Sequence, residues 1–448
     1  MLDSVNSLAA LEKEHAAILE TQAKLAQSVF PEMQVKAFDT FKSLGFPTTK
    51  NEDWRYTNLK KWSESTLSVN LAEAVCLEDY SDLYAQATGF LDTYDLVFAG
   101  GIFVDAWSAL ETFPEGVNVT QVQTLEGAQK ELVASAIQKE WHLEKHGLNV
   151  LNEAFLSSIV CVDIAREIVL DKPLRVLHLM HGREHNRAVY PRLVLRSGSR
   201  SKSTLIEHFV GHDQVHYFTN NMVDLFVEES AELKHIRIQC EGNLASHFSG
   251  LNVEQLGSSV YRLFSLALGS QIVRNDVLCA LAGKESFCTL DGLYVLGGSE
   301  HVDNFTTIEH QKEHTRSREF YKGVVGGKGN ASFSGKVYVH SEAQQTDAAQ
   351  TNRNLLLSKN ASANTKPQLE IYADDVKCAH GATVGQLDDD ALFYLRSRGI
   401  DKEEAKRQLI MAFTNEVVDA CLEGSLKDYV EDLVVQRLNE YFAAQEQI

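Results

Sequence analysis

The sequence is short of positive charge. Its 448 residues carry 42 Lys and Arg against 62 Asp and Glu, a formal charge of −20. A chain this acidic repels phosphate backbones, and no local basic patch offsets the repulsion, which argues against nucleic acid as a partner. The same balance disfavours docking on an anionic membrane surface. No run of ~18 apolar residues occurs, so no bilayer-spanning helix is expected. The N-terminal MLDSVNSLAALEKEH lacks the basic start and apolar core of a secretory signal. The seven cysteines, at 76, 161, 240, 279, 288, 378 and 421, are odd in number and scattered, with no Cys-x-x-Cys. That pattern argues against a disulfide frame or zinc ribbon and points to a reducing cytoplasm with mostly buried thiols. A P-loop is missing too. Gly283-Lys284-Glu285 and Gly327-Lys328-Gly329 both lack the hydroxyl that would hold magnesium, so the chain has no nucleotide site of its own.

What is present supports a large folded protein. Hydrophobic residues make up 44% and aromatics 9%, enough for a sizeable core. The length is about three times the ~150-residue domain prior, so two or three domains are expected. We divide the chain into 1–150, 151–385 and 386–448. In the first part, 7–30 has apolar residues at helical spacing. A second helix follows, with Pro31 in its first turn, Phe38, Phe41 and Leu44 on one face, and Gly45 and Pro47 as its stop. DLVFAGGIFV at 95–104 reads as one apolar strand. All four tryptophans (54, 62, 107 and 141) lie in this part, a hint of a separate core.

The middle part is a series of short apolar runs broken by glycine. Breaks at Gly257, Gly269, Gly283 and Gly297 are 12, 14 and 14 residues apart. Such spacing without intervening helices argues for an all-β repeat and against a doubly wound sheet. Two strands per coil give a period in the mid-twenties. Solenoid and sandwich both remain open, the solenoid slightly ahead. The last part is helical. In DDDALFYLRSRG the acids open a helix and Gly399 closes it. Asp401 and Glu404 resemble a capping box. Ala405, Leu409, Phe413, Val417 and Cys421 then form one stripe, and Leu426, Tyr429, Val430, Leu433, Leu438 and Tyr441 another. The stripes are expected to pack on one another, with room left for a partner groove.

Few residues carry chemistry. His208, His212 and His216 are four apart, but Gly211 breaks the segment into strand, turn and strand. His310 and His314 share the zincin spacing without its Glu. Asp374–Asp375 and Asp388–Asp390 evoke carboxylate or calcium sites, yet strand neighbours point to opposite faces and an acid run before a helix is ordinary capping. QLEIYADDVKCAHGATVGQ at 368–386 is stronger. Its period-two pattern puts Cys378 and His380 on one face, about 7 Å apart along the backbone. Thiolate and imidazole suit iron or zinc, and Gly381 leaves room for a ligand or a second backbone. The competing reading is a buried structural cysteine beside a satisfied strand histidine. Two ligands are too few for a closed site, so any metal would take the others from another subunit.

The stretch from about 292 to 420 resembles the SufB/SufD family of iron–sulfur cluster assembly proteins. The residues that carry the resemblance are KGVVGGKGNASFSGKVYV (322–339), AQQTDAAQTNRNLLLS (343–358), KPQLEIYADDVKCAHGATVG (366–385) and FYLRSRGI (393–400). NEDWRYTNLKKW (51–62) and QIVRNDVLCALAG (271–283) resemble two further family motifs, and the match is weakest over 65–150. His-Gly-Ala-Thr at 380–383 is similar to SufD-like members. The scaffold cysteine of SufB-like members is replaced by polar residues around Thr351–Asn352. The resemblance implies a mainly β fold with α: a right-handed parallel β-helix between N-terminal and C-terminal helical domains. It implies a non-catalytic scaffold that pairs with a SufB-like sister subunit, or with itself in isolation, and docks a SufC-like ABC ATPase through its C-terminal helices. It implies that His380, with Cys378 as companion, holds iron or a transient iron–sulfur cluster shared with the partner subunit. A parallel β-helix carbohydrate-active enzyme is the alternative. Such enzymes are usually exported and need clustered acids or arginines on one sheet face.

Overall fold

The structure is a computed structural model that describes residues 8–24, 30–60, 68–69, 76–121, 126–139, 146–156, 158–181 and 186–446. Its centre is a parallel β-solenoid of about seven turns. Successive strands alternate between an eleven-stranded and a ten-stranded sheet, so each coil gives one strand to each. Phe218 pairs with Ser246, Ser246 with Ile272 and Ile272 with His301, all in parallel. The coil length runs from 26 residues (272 − 246) to 33 (191 − 158), somewhat above the mid-twenties read from glycine spacing. Ten-residue strands such as Phe287–Leu296 and His301–His310 set this length together with their connecting turns. Several turns use left-handed Ser258, Ser270, Glu285 and His314 rather than glycine, so glycine punctuates them incompletely.

Each strand alternates between two environments. Inward residues such as Leu263, Leu290, Val277 and Ile308 fill the solenoid. Outward residues of the ten-stranded sheet, among them Ile236, Phe264, Leu266, Leu293 and Val295, are equally apolar. The C-terminal helices cover them. Helices Lys402–Cys421 and Gly424–Glu446 lay Ile410, Val417, Val418, Val430, Val434 and Leu438 on that face. The stripes expected to pack on one another therefore pack chiefly on the sheet, because its apolar outer face has no other cover. Lys322 ties the hairpin down. Its ammonium, without exposure, donates to the Phe413 carbonyl at 2.6 Å and pairs with Glu416, which also bonds Arg353 of the next coil. Asp388 and Asp401 cap their helices as expected, each accepting from two backbone N–H groups.

The first part of the chain docks on the other sheet. Helix Pro31–Leu44 has its proline at the start and Gly45, at φ 65°, at its stop. Phe38 and Phe41 are buried, whereas Leu44 turns outward. Their core includes Trp54, Tyr190, Phe218 and Phe248, so it merges with the solenoid rather than standing apart. Trp107 stacks on Tyr84, and Trp62 and Trp141 lie outside the described residues. The run 95–104 is two strands, not one: Tyr94–Ala99 and Ile102–Phe103 make a hairpin. Gly100 and Gly101 turn it at positive φ, and a Cβ on Gly101 would lie 2.6 Å from the Val189 Cβ.

Motifs 51–62 and 271–283 meet. The Arg274 guanidinium, 2% exposed, bonds Asp276 at 2.5 Å, Asp303, and the Asp53 carbonyl at 2.8 Å, and sits 4.4 Å from the Trp54 ring centre. Thr57 donates to Asp303 and lies 2.8 Å from His301 Nε2, and His146 bonds Asp276. Lys61 and Trp62 of the motif fall outside the described residues.

The two ends of the solenoid differ. At the first end an antiparallel strand, Val117–Gln121, covers the edge of Ser158–Ile164, and the 94–103 hairpin closes the other sheet. At the last end the strands Ser362–Ile371 and Val376–Gly385 have, among the described residues, no neighbour on their outer edges.

Two measurements test this architecture. Arg274→Met leaves Asp276 and Asp303 buried without their cation, and urea unfolding is expected to show a loss of about 3–5 kcal/mol. An unchanged midpoint would mean the network does not hold the first part down. Inside the last coils, burial pushes the Glu319 carboxyl from 4.5 up to about 7. Its contribution is therefore fully present below the unfolded value and is lost as pH rises through about 7. Glu319→Gln is expected to gain stability over the parent by about 3 kcal/mol or less between pH 4.5 and 8, read from urea curves at both pH values.

Candidate functional site

The open end is where the Cys/His segment lies. Strand Val376–Gly385 pairs on one side only, with Thr346–Leu356, in the register Cys378 to Ala348, His380 to Gln350 and Thr383 to Arg353. Alternation puts Val376, Cys378 and His380 on the solenoid's inner side, continuing the column of Ala348, Gln350 and Asn352. With no further coil above it, this column emerges into solvent. Every residue of the strand is at least partly exposed, in contrast to the fully buried Ile272–Leu281.

The two candidate ligands sit differently. Cys378 is half-buried against the small apolar cluster of Val337, Val339, Ala348 and Ala373. Burial pushes its thiol above the ordinary range, with Asp347 adding to the rise and a backbone hydrogen bond with Ala348 opposing it. Its surroundings favour the neutral thiol over the thiolate. His380 is exposed. Gly381 beside it has open space: a Cβ there would meet nothing within 4 Å. Among the described residues, no group of three or more His, Cys, Asp and Glu is placed to hold a metal ion. The arrangement offers one accessible imidazole and one latent thiol, a partial ligand set that needs donors from elsewhere.

Apolar surface surrounds it. Ile371 and Val384 on the end strands, Tyr372 just beyond, and Phe393 and Tyr394 on helix Asp389–Ser397 are all exposed, Phe393 by 73%. A bare strand edge beside exposed aromatic side chains is the surface that strand addition uses.

The other sequence candidates do not come together. His208 is buried under Tyr429, His212 pairs with Asp82 in a turn, and His216 is exposed. His310 is held inside the solenoid by Thr315 and Ser317, and His314 sits at a left-handed turn. Asp374 and Asp375 are exposed in a turn, and Asp388 caps a helix. On the outer sheet face the carboxylates Asp276 and Asp303 are occupied by Arg274. Sequence reasoning missed Glu319 and Gln350, buried below His380 and bonded to each other. Their period-two spacing with Tyr321 and Asn352 was the available signal. No helix among the described residues is long and apolar enough to cross a membrane.

Comparison with known proteins agrees with this geometry. Residues 178–413 match the family model described as SUF system FeS cluster assembly, SufBD core domain, and residues 4–176 match the SufBD protein N-terminal region. The chain is 35% identical over 397 residues to the iron–sulfur cluster assembly protein SufD of Escherichia coli K12, covering 88% of this chain and 90% of that one. It is 30% identical over 433 residues to an iron–sulfur cluster assembly SufBD family protein of Synechocystis, covering 93% of each. A match along both family regions, together with a relative this similar over nine-tenths of its length, settles membership: the chain belongs to the SufBD family of iron–sulfur cluster assembly proteins.

Proposed function

We propose that this chain is a SufD-type scaffold subunit that works in the cytoplasm and holds iron or the nascent cluster at a subunit interface. The observation that carries the proposal is the uncovered end of the solenoid with His380 on its last strand. A SufB-like sister subunit pairs along that edge and supplies the missing ligands. In isolation a second copy of the chain can take its place. The cluster is cargo, so the chain needs scaffold geometry rather than catalytic groups. His380 contributes an imidazole nitrogen. Cys378 becomes a ligand once a metal displaces its proton.

Without a P-loop, ATP must act through a bound SufC-like ATPase. The exposed side of the C-terminal helices is the docking surface. Their buried side is fixed to the sheet, and Lys322 and Arg353 join Glu416 to the coils next to the open end. Movement imposed on the helices therefore reaches the pairing edge and alters how His380 meets the partner's ligands.

Two results decide the matter. His380→Ala in the co-purified complex, assayed anaerobically, is expected to lose most of its iron and sulfide; unchanged content removes His380 from the mechanism. Val384→Asp places a charge on the apolar edge and is expected to weaken recovery of the sister subunit about tenfold or more. Undiminished recovery would place the pairing surface elsewhere.

A further inference from the structure

The inner column below His380 holds polar groups that packing alone does not explain. Glu319 and Gln350 are 3% and 1% exposed, and Gln350 Nε2 donates to Glu319 Oε2 at 2.5 Å. They are partners in one ladder, Glu319 to Gln350, and the next partner outward is His380. Gln350 is held in one orientation. A carboxyl oxygen accepts its NH2, so its carbonyl oxygen must point elsewhere. That oxygen, Oε1, is buried and, like Glu319 Oε1, has no hydrogen-bond partner among the described residues. The fold also clears space for the amide: a Cβ on Gly335 would stand 2.0 Å from Gln350 Nε2, so any side chain there would displace it. An orphaned buried acceptor is unfavourable unless something donates to it.

The buried Thr306 hydroxyl lies on the Glu319 side of the pair, and the next ladder partner outward of Gln350 is His380. Adjacent strands lie about 4.8 Å apart, so the two side chains start from neighbouring positions on one face. Metal-ligating histidines habitually tether their second nitrogen to an acceptor oxygen, which fixes the tautomer and the ring plane. Glu319, with its carboxyl lifted by burial to about 7, accepts from Gln350 in both its charged and its neutral form.

We propose that Gln350, oriented by Glu319, is a positioning residue for His380: its carbonyl oxygen accepts one imidazole N–H, and the other ring nitrogen, unprotonated, faces an incoming metal. This rests on the reading of His380 as a ligand. It assigns the buried pair a role that neither residue performs by touching the cargo.

The test uses the full chain, metal-free and labelled with 15N-histidine, with the His380 resonances assigned by their loss in His380→Ala. The parent is expected to show His380 in a single tautomer with one protected ring N–H. Gln350→Leu is expected to return it to a mixture of tautomers. Glu319→Gln, which keeps size and shape, frees the Gln350 amide to flip and is expected to do the same in a chain that folds normally. A tautomer mixture in the parent, or a fixed tautomer retained in both variants, overturns the proposal. Anaerobic titration with ferrous iron adds a second reading. Gln350→Leu is expected to weaken binding about tenfold or more, and no further when combined with His380→Ala. A further loss in that combination would show that Gln350 acts other than through His380, and would overturn the proposal. A fixed tautomer together with unchanged iron and sulfide in His380→Ala would instead strike the ligand reading and leave the tether standing.

Discussion

A parallel solenoid satisfies its backbone between coils, and the constraint that follows is what happens at its two ends. Strands inside the stack have a neighbour on each side to take their N–H and C=O groups, and the outermost strand of each sheet does not. This chain covers one end with an antiparallel strand and a hairpin and leaves the other bare. A bare edge is a hazard in a protein meant to stay alone. Here the edge carries exposed Ile371, Tyr372 and Val384, interrupted by Pro367 on one strand and Lys377 on the other. The fold is therefore built to be finished by something else. The placement of His380 follows from that: it is the residue at which an interior column of side chains first meets the outside.

The remaining elements make the open end a stiff platform. Apolar stretches on the outer faces of both sheets are covered by helices from the first and last parts of the chain. The contacts that pin those helices are buried charges with few alternatives. Lys322 has no exposed side-chain surface, and Glu416 and the Phe413 carbonyl are what compensate it. Arg274 similarly locks the 51–60 segment to the middle coils. Buried pairs of this kind add little net stability against an apolar replacement, but they penalise misplacement heavily. They fix register between helix and coil. On the proposed reading, in which ligands from two chains meet at one metal, that fixity matters more than extra stability.

Much of this was legible in the sequence, for reasons that differ by region. Glycine-broken apolar runs gave the coils because two strands per turn force a repeat. Caps at Asp388 and Asp401 were legible because N-capping is local chemistry. The stripe from Ala405 to Cys421 was legible as a stripe, but its partner was not: the outward Ile236, Phe264 and Leu293 that it covers lie more than a hundred residues away. The single strand expected over 95–104 failed at Gly100–Gly101, where a close approach to Val189 decides the turn. At the site, Cys378 and His380 were found from alternation within one strand. Glu319 and Gln350 escaped because they join that column only through coil register, and register over 26 to 33 residues is set by turns that use Ser, Glu and His at positive φ as well as glycine.

The unequal state of the two ligands carries a consequence for order. Cys378 lies against apolar neighbours that favour the neutral thiol, so binding there must expel a proton. His380 stands in solvent, free of any such apolar surroundings. On the proposed reading the imidazole is engaged first, and the thiol follows only when a metal's charge is already close enough to outweigh its burial. Closure of the open end by a second chain strengthens both effects, because excluding water raises the attraction between metal and thiolate as well as the cost of an unpaired charge. On the proposed reading, a site divided in this way is inert in a single chain and becomes competent only on assembly.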